Sequence, residues 1–127
     1  MAVRRETVAV TGATGGAGVA TATANTAQPI SGEIVAVYLE YLGSPPAGTT
    51  DVTIQEEGAA PKLPVLTITN AATDAWFHPM WQADNEAGAA ITNQGKPIKV
   101  SDYLSVTIAQ ANDDDGVNAT IVWDDLR

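Results

Sequence analysis

The segment from Trp76 to Trp81, WFHPMW, is the densest group of side chains in the sequence that could bind a ligand or a partner. It holds two of the three tryptophans, the single phenylalanine and the single histidine of the chain. Exposed tryptophans stack on sugar rings and anchor protein partners. Because large side chains are scarce elsewhere, we also expect at least one of these tryptophans to fill the core. No serine or cysteine nucleophile motif accompanies His78, so we do not expect it to act as a catalytic base.

The acidic run Asp113-Asp114-Asp115 offers carboxylate oxygens, the ligands that calcium prefers. The run does not fit an EF-hand loop, because Ala111 stands at its first ligand position and Val122 at its last. Asp115-Gly116 is typical of a tight hairpin turn. We therefore predict a solvated hairpin tip, and the sequence leaves open whether this tip binds a cation.

The stretch from Thr11 to Gly18, TGATGGAG, follows a predicted strand and fits the pattern T-G-x-x-x-G-x-G. It is similar to the cofactor loop of short-chain dehydrogenases, where backbone amides approach a pyrophosphate at a helix N-terminus. The residues that follow, VATATA, alternate as a strand does, and none of the three tyrosines is followed by lysine four positions later. We therefore expect a flexible glycine-rich hairpin loop between two strands, and we keep a nucleotide-dependent oxidoreductase only as a third hypothesis.

Composition restricts the possible functions further. The 127 residues suffice for one domain, and 6 Lys plus Arg against 15 Asp plus Glu give a net charge of −9. Such an acidic chain disfavours binding to nucleic acid or to a membrane surface. The absence of cysteine excludes disulfides, thiol catalysis and thiolate metal sites. No apolar run is long enough to span a bilayer and no signal peptide is recognisable, so we expect a soluble protein made in a cytoplasm.

The elements that position these groups are predicted to be strands. Alternating segments rich in valine, isoleucine and threonine are typical of half-buried strands. Only 84–91 could hold a helical turn, and the last two strands are predicted to form a hairpin. The pattern predicts an all-β fold, a two-sheet sandwich or jelly-roll-like barrel with long loops. The predicted strands cover 7–11, 19–24, 33–42, 51–56, 65–69, 75–80, 103–110 and 119–124.

The predicted core is thin, because Leu, Ile, Val and Phe make up only about a fifth of the chain and alanine supplies much of the rest. A single copy should therefore be marginally stable, and association with other copies would compensate. The strand 33–42 is apolar on both faces, which is typical of a central or interface strand. We expect one of its faces to carry Val35, Val37, Leu39 and Tyr41.

Six segments precede the final strands at 104–110 and 119–123 in a characteristic order. They are MAVRR at the start, ISGEIVAVY at 30–38, LTITN at 66–70, WFHP at 76–79, DNEAGAA at 84–90 and IKV at 98–100. This layout resembles the head decoration or cement proteins of tailed bacteriophages. The resemblance implies a β-rich, non-enzymatic virion protein without cofactor or metal, made in the host cytoplasm. It would assemble on the capsid exterior as a homo-oligomer, with a trimer favoured, and the major capsid protein would be its partner. A position at the neck or tail stays open.

These considerations give one expected organisation. Residues 1–12 form an N-terminal arm and first strand, and 13–127 form a single β domain. The alternative function is a ligand-binding or carbohydrate-binding β-module of a phage tail or fibre. The candidate interface residues are Arg4 and Arg5, which could meet an acidic surface, together with Val35, Val37, Leu39, Tyr41, Trp76, Phe77 and Trp81.

Overall fold

The computed structural model describes residues 2–43 and 45–125, and within these ranges it contains strands and turns but no helix. Met1, Ser44, Leu126 and Arg127 lie outside the described residues, and with them the first residue of the predicted arm and the last two of the predicted domain. The predicted all-β fold is confirmed. The strands are β1 (Ala2–Val10), β2 (Ala20–Asn25), β3 (Ile30–Leu42), β4 (Asp51–Glu56), β5 (Pro64–Ile68), β6 (Ala75–Phe77), β7 (Met80–Asp84), β8 (Ala90–Pro97), β9 (Lys99–Asp102), β10 (Leu104–Ala111) and β11 (Gly116–Asp125).

These strands form three antiparallel sheets. In the first sheet, β11 lies between β1 and β3, and the other side of β3 pairs with β9 near its start and with β6 near its end. The second sheet has the order β2-β10-β4-β5. The third sheet is the two-stranded hairpin of β7 and β8. The inward faces of the first and second sheets share one hydrophobic core, as expected from a sandwich.

A β-bulge in β3 decides which of its side chains enter the core. Trp123 of β11 pairs with Ile34 and the preceding Val122 pairs with Ala36, so that Val35 is an extra residue in β3. The inward alternation therefore runs through Ile34 before the bulge and resumes at Val37. The prediction that Val35 shares a face with Val37 is wrong, since Val35 is 45% exposed and Val37 is fully buried.

Both loops that were expected to close hairpins instead cross from one sheet to the other. The glycine-rich loop connects β1 of the first sheet to β2 of the second, and Asn112–Asp115 connects β10 of the second sheet to β11 of the first. The two loops are bonded together: the amide of Ala13 donates to the Asp115 carbonyl at 3.0 Å, and the amide of Asp114 donates to the Ala13 carbonyl at 2.8 Å. Turn residues predict that the chain reverses direction, but not which sheet it joins next.

The stretch 84–91, the one that could have held a helical turn, holds none. Residues 85–89 form the turn between β7 and β8. The Asn85 side-chain oxygen accepts hydrogen bonds from the amides of Ala87 and Ala89 at 2.9 and 3.0 Å. Gly88 has a φ of 82°, which ends any helical path. Asparagine that bonds to the backbone just downstream favours a turn over a helix.

Candidate functional site

The hairpin of β7 and β8 is the most exposed of the described strand pairs. Every residue of β8 is exposed, and neither hairpin strand pairs with a strand of the two large sheets in the described part of the chain. Its apolar side chains also face solvent, with Met80 57%, Ile91 38% and Trp81 36% exposed. An isolated two-stranded hairpin is at best marginally stable in water. The hairpin is therefore an element whose conformation a partner would stabilise.

The aromatic segment is divided between two elements and two directions. Trp76 of β6 points away from the core, 51% exposed, and its ring lies 5.0 Å from that of Tyr38 at an interplanar angle of 50°. Phe77 points the other way and packs against the core. Trp81 belongs to the exposed hairpin. The expectation that one of these two tryptophans fills the core is wrong, because the buried tryptophan is Trp123.

A cleft of about 250 Å³ opens on the outer face of the first sheet at the bulge. Its walls combine apolar surface with two carboxyl groups and one imidazole. Cross-strand pairing sets Glu33 of β3 beside Asp124 of β11, and the connection from β6 to β7 supplies His78. The residues that line the cleft are Glu33, Ile34, Val35, His78, Pro79, Met80, Pro97 and Asp124. Sequence reasoning missed Glu33 and Asp124, because only the strand register shows that they are neighbours.

Three of the predicted interface residues lie in the core instead. Val37 and Leu39 are fully buried, and Tyr41 is nearly so. These side chains pack inside the chain's own sandwich and present no surface to a partner. Their burial corrects the prediction that this face of β3 is an interface. Of the four candidate interface residues on β3, Val35 is the exposed one.

The phenol of Tyr41 has a raised pKa. Burial raises the pKa of its phenol, and the negative charge of Asp74 raises it further. Asp74 also accepts a hydrogen bond from the Tyr41 amide at 2.8 Å. The Tyr41 hydroxyl has no hydrogen-bond partner in the described structure. Both causes keep the phenol neutral, which suits a structural core residue.

The two N-terminal arginines have different environments. β1 pairs with β11 along its whole described length, so these residues form an edge strand and not a free arm. The Arg4 guanidinium lies 2.6 Å from the carboxylate of Asp125, whose side chain is 5% exposed. Arg5 points to the outer face of the sheet and is exposed, opposite Val122. The Arg4 side chain is 56% exposed but is held in this ion pair, whereas Arg5 forms no ion pair with the described residues.

The glycine-rich loop binds a carboxylate of its own chain. The Asp113 carboxylate accepts hydrogen bonds from the amides of Gly15 and Gly16 at 3.1 and 2.9 Å, and the side chain of Asn112 accepts from the Gly18 amide at 3.0 Å. We call these three bonds the amide clasp. In dinucleotide-binding loops such amides face a pyrophosphate at the start of a helix. Here the amides are occupied and β2 follows, so the loop does not support the oxidoreductase hypothesis.

Of the other two acidic residues of the turn, Asp115 also bonds within the chain. The buried Asp115 carboxylate accepts from the amides of Ala47 and Asn112 at 3.1 and 3.0 Å. Asp114 stands at the tip with a φ of 67°. Across the described residues, no group of three or more His, Cys, Asp or Glu is arranged to hold a metal ion.

The described residues contain no helix of the length and apolarity needed to cross a membrane. Comparisons of the chain with protein-family models, with curated proteins and with solved structures give no match. The function must therefore be argued from the geometry of the hairpin, the cleft and the outer face around them.

Proposed function

We propose that this chain is a non-enzymatic structural protein of a phage virion, a decoration or cement protein that binds the capsid exterior as a homo-oligomer. Its partner would be the major capsid protein, and it would be made in the host cytoplasm before assembly. The exposed hairpin of β7 and β8 carries the proposal, because its apolar side chains face solvent and, among the described residues, no strand of the large sheets pairs with it. Exposed apolar surface of this kind marks a protein interaction site.

Many repeated contacts between copies of the chain and the capsid would stabilise the shell. Packed DNA pushes outward on a capsid, and a protein that bridges neighbouring shell subunits opposes their separation. Each hairpin buries little area, but the same contact recurs around a closed symmetric shell. The sequence-based expectation of a trimer belongs to this proposal, as does the position on the head and not on the neck or tail.

Cryo-electron microscopy of particles of the phage that encodes the chain tests the proposal directly. We expect density for a two-sheet domain at repeated positions outside the shell, with the β7–β8 hairpin against capsid subunits. Absence of the chain from purified particles, or its placement inside the shell, would overturn the proposal.

A pelleting assay gives an independent test. Purified chain is added to particles from a phage that lacks the gene, and the bound fraction is measured after sedimentation. We expect Trp81→Ala to weaken binding. Val19→Ala removes an apolar side chain that is more exposed, 65% against 36% for Trp81, from the glycine-rich loop, and this variant should bind as the wild type does. Equal binding by both variants would remove the hairpin from the interface.

A second candidate, a carbohydrate-binding module of a phage tail or fibre, is favoured by one observation. The exposed Trp76 ring, supported by Tyr38, lies on the same outer face as carboxylates that could accept hydrogen bonds from sugar hydroxyls. Titration with a broad glycan panel should then quench tryptophan fluorescence in the wild type but not in Trp76→Ala. Unchanged wild-type emission throughout the panel would set this candidate aside.

A further inference from the structure

The outer face of the first sheet carries a second exposed apolar surface, next to the cleft. Val3 on β1, Val35 at the bulge and Trp76 on β6 are 67%, 45% and 51% exposed, and all three point away from the core. Met80, 57% exposed, borders the same cleft. We call these four residues the outer patch. Isolated apolar residues on a surface are ordinary, but several on one sheet face around a cleft are typical of a binding surface.

The cleft within this surface has an unbalanced negative charge. Glu33 and Asp124 are directly opposite each other across β3 and β11, and like charges in that position repel. Lys99 lies 3.7 Å from Glu33 and so offsets one of the two carboxylates. No described cation lies within ion-pair distance of Asp124. A positive group from outside would relieve this repulsion.

Arg5 provides such a group on the same face. It lies one row from Asp124 along the sheet, since Arg5 pairs with Val122 and Val3 with Asp124. That row spacing is about 6.8 Å, twice the rise per residue of a strand. In the part of the chain that the structure describes, no carboxylate lies within ion-pair distance of Arg5. The face therefore carries a positive and a negative site side by side.

We propose that this face binds a second copy of the chain, with Arg5 of each copy entering the Glu33–Asp124 cleft of the other. Two copies placed face to face about a rotation axis bring each positive site onto a negative site. The arginine stem would lie along Val35 and Met80, and its planar guanidinium can bond to both carboxylates. This inference rests on the homo-oligomer proposed above and names its contact surface. The reciprocal contact is two-fold, so it predicts a dimer in place of the expected trimer, and it does not depend on capsid binding.

Charge explains why a second copy is the occupant that this surface fits. Two chains of net charge −9 repel each other, so their contact must place cations against anions locally. A face that holds both signs one row apart is complementary to itself. The outer patch then contributes apolar area around the ion pairs, as in the core of a protein interface.

Charge reversal tests the contact. The mass of the purified chain is measured by light scattering after size exclusion. The protein concentration is varied over a range on the order of 1–200 µM, in which weak oligomers dissociate. We expect the wild type to form oligomers. Arg5→Glu and Asp124→Arg should each raise the dissociation constant about tenfold or more, because each creates a like-charge contact. The double variant Arg5→Glu/Asp124→Arg should restore association, because the ion pair is re-formed with its signs exchanged.

Matched controls separate a specific contact from net charge. Lys62→Glu changes the net charge as Arg5→Glu does, and Glu57→Arg as Asp124→Arg does, both at exposed positions away from the face. Both controls should associate as the wild type does, and circular dichroism melts should show every variant folded. A monomeric wild type, controls as weak as the face variants, or a double variant without recovery would overturn the inference. A monomer that still pellets with capsids would leave capsid binding standing and would remove the homo-oligomer from the proposed function.

Discussion

Removing the Asp113 carboxylate tests the amide clasp that joins the two sheet-crossing loops. Asp113→Ala removes both hydrogen bonds to the Gly15 and Gly16 amides. A hydrogen bond to a charged group contributes about 1.5–3 kcal/mol when buried. Because these bonds are exposed to solvent, we expect a total loss of about 1–2 kcal/mol. Asp113→Asn keeps an oxygen acceptor without the charge, so it should lose about half as much.

The assay is thermal unfolding followed by circular dichroism. With an unfolding entropy of roughly 2.1 cal/mol/K per residue over 127 residues, a loss of about 1.5 kcal/mol lowers Tm by about 5–6 °C. Asp114→Asn is the matched control, because it removes the same charge from the adjacent residue and asparagine tolerates the φ of 67° found there.

Hydrogen exchange gives a second, local measurement of the clasp. The Gly15 and Gly16 amides should exchange roughly tenfold faster in Asp113→Ala, since tenfold corresponds to about 1.4 kcal/mol. If Asp113→Ala and Asp114→Asn melt within about 1 °C of each other, and amide exchange is unchanged, the clasp contributes nothing to stability and our account of the loop is refuted.

Three further predictions concern β3. Leu39→Ala should lower the free energy of unfolding by about 2–5 kcal/mol and Val35→Ala by less than about 0.5 kcal/mol, as urea denaturation would show; similar losses would contradict the assigned bulge. The raised pKa of Tyr41 means that the folded state holds its phenol proton more tightly than the unfolded state. The contribution of Tyr41 to stability is therefore complete below the unfolded pKa near 10 and is lost as the pH rises through the folded value. If the free energy of unfolding is measured at about pH 9–11, Tyr41→Phe should show a smaller decline than the wild type, by the contribution of one titrating group. Gly32→Ala should destabilise by about 2–3 kcal/mol, because its φ is 152° and a Cβ would overlap the Asp124 carbonyl oxygen, whereas Gly48→Ala, in open space, should be neutral in the same denaturation series.

The sequence was sufficient for most strands because their side chains alternate. Val106 and Ile108 in β10, and Ile121 and Trp123 in β11, all enter the core as their spacing predicts. The same alternation could not reveal how strands are assigned to sheets. Asp115-Gly116 marks a reversal of the chain equally well whether the next strand pairs with β10 or, as here, joins the opposite sheet.

The candidate site was harder to predict for two physical reasons. The bulge at Val35 shifts the alternation by one residue, and a bulge is set by pairing with β11 rather than by local composition. The hairpin of β7 and β8 buries neither face, so its strands carry no hydrophobic period. Trp76 and Trp81 were found from residue type alone, whereas the cleft carboxylates depend on cross-strand register.

The position of β11 between β1 and β3 has a consequence for synthesis. The Thr7 and Thr120 hydroxyls bond across a separation of 113 positions, so the nascent N-terminal strand must wait for its neighbour. At ~5–20 residues per second, that wait lasts roughly 6–23 s on the ribosome. During this interval the strand position between β1 and β3 is unfilled, and their backbone edges on that side are unpaired. Unpaired strand edges are prone to pair with other nascent chains. The first sheet is thus completed only after the ten described strands before β11 have been synthesised, and ribosomal stalling before residue 116 would leave the position between β1 and β3 unfilled.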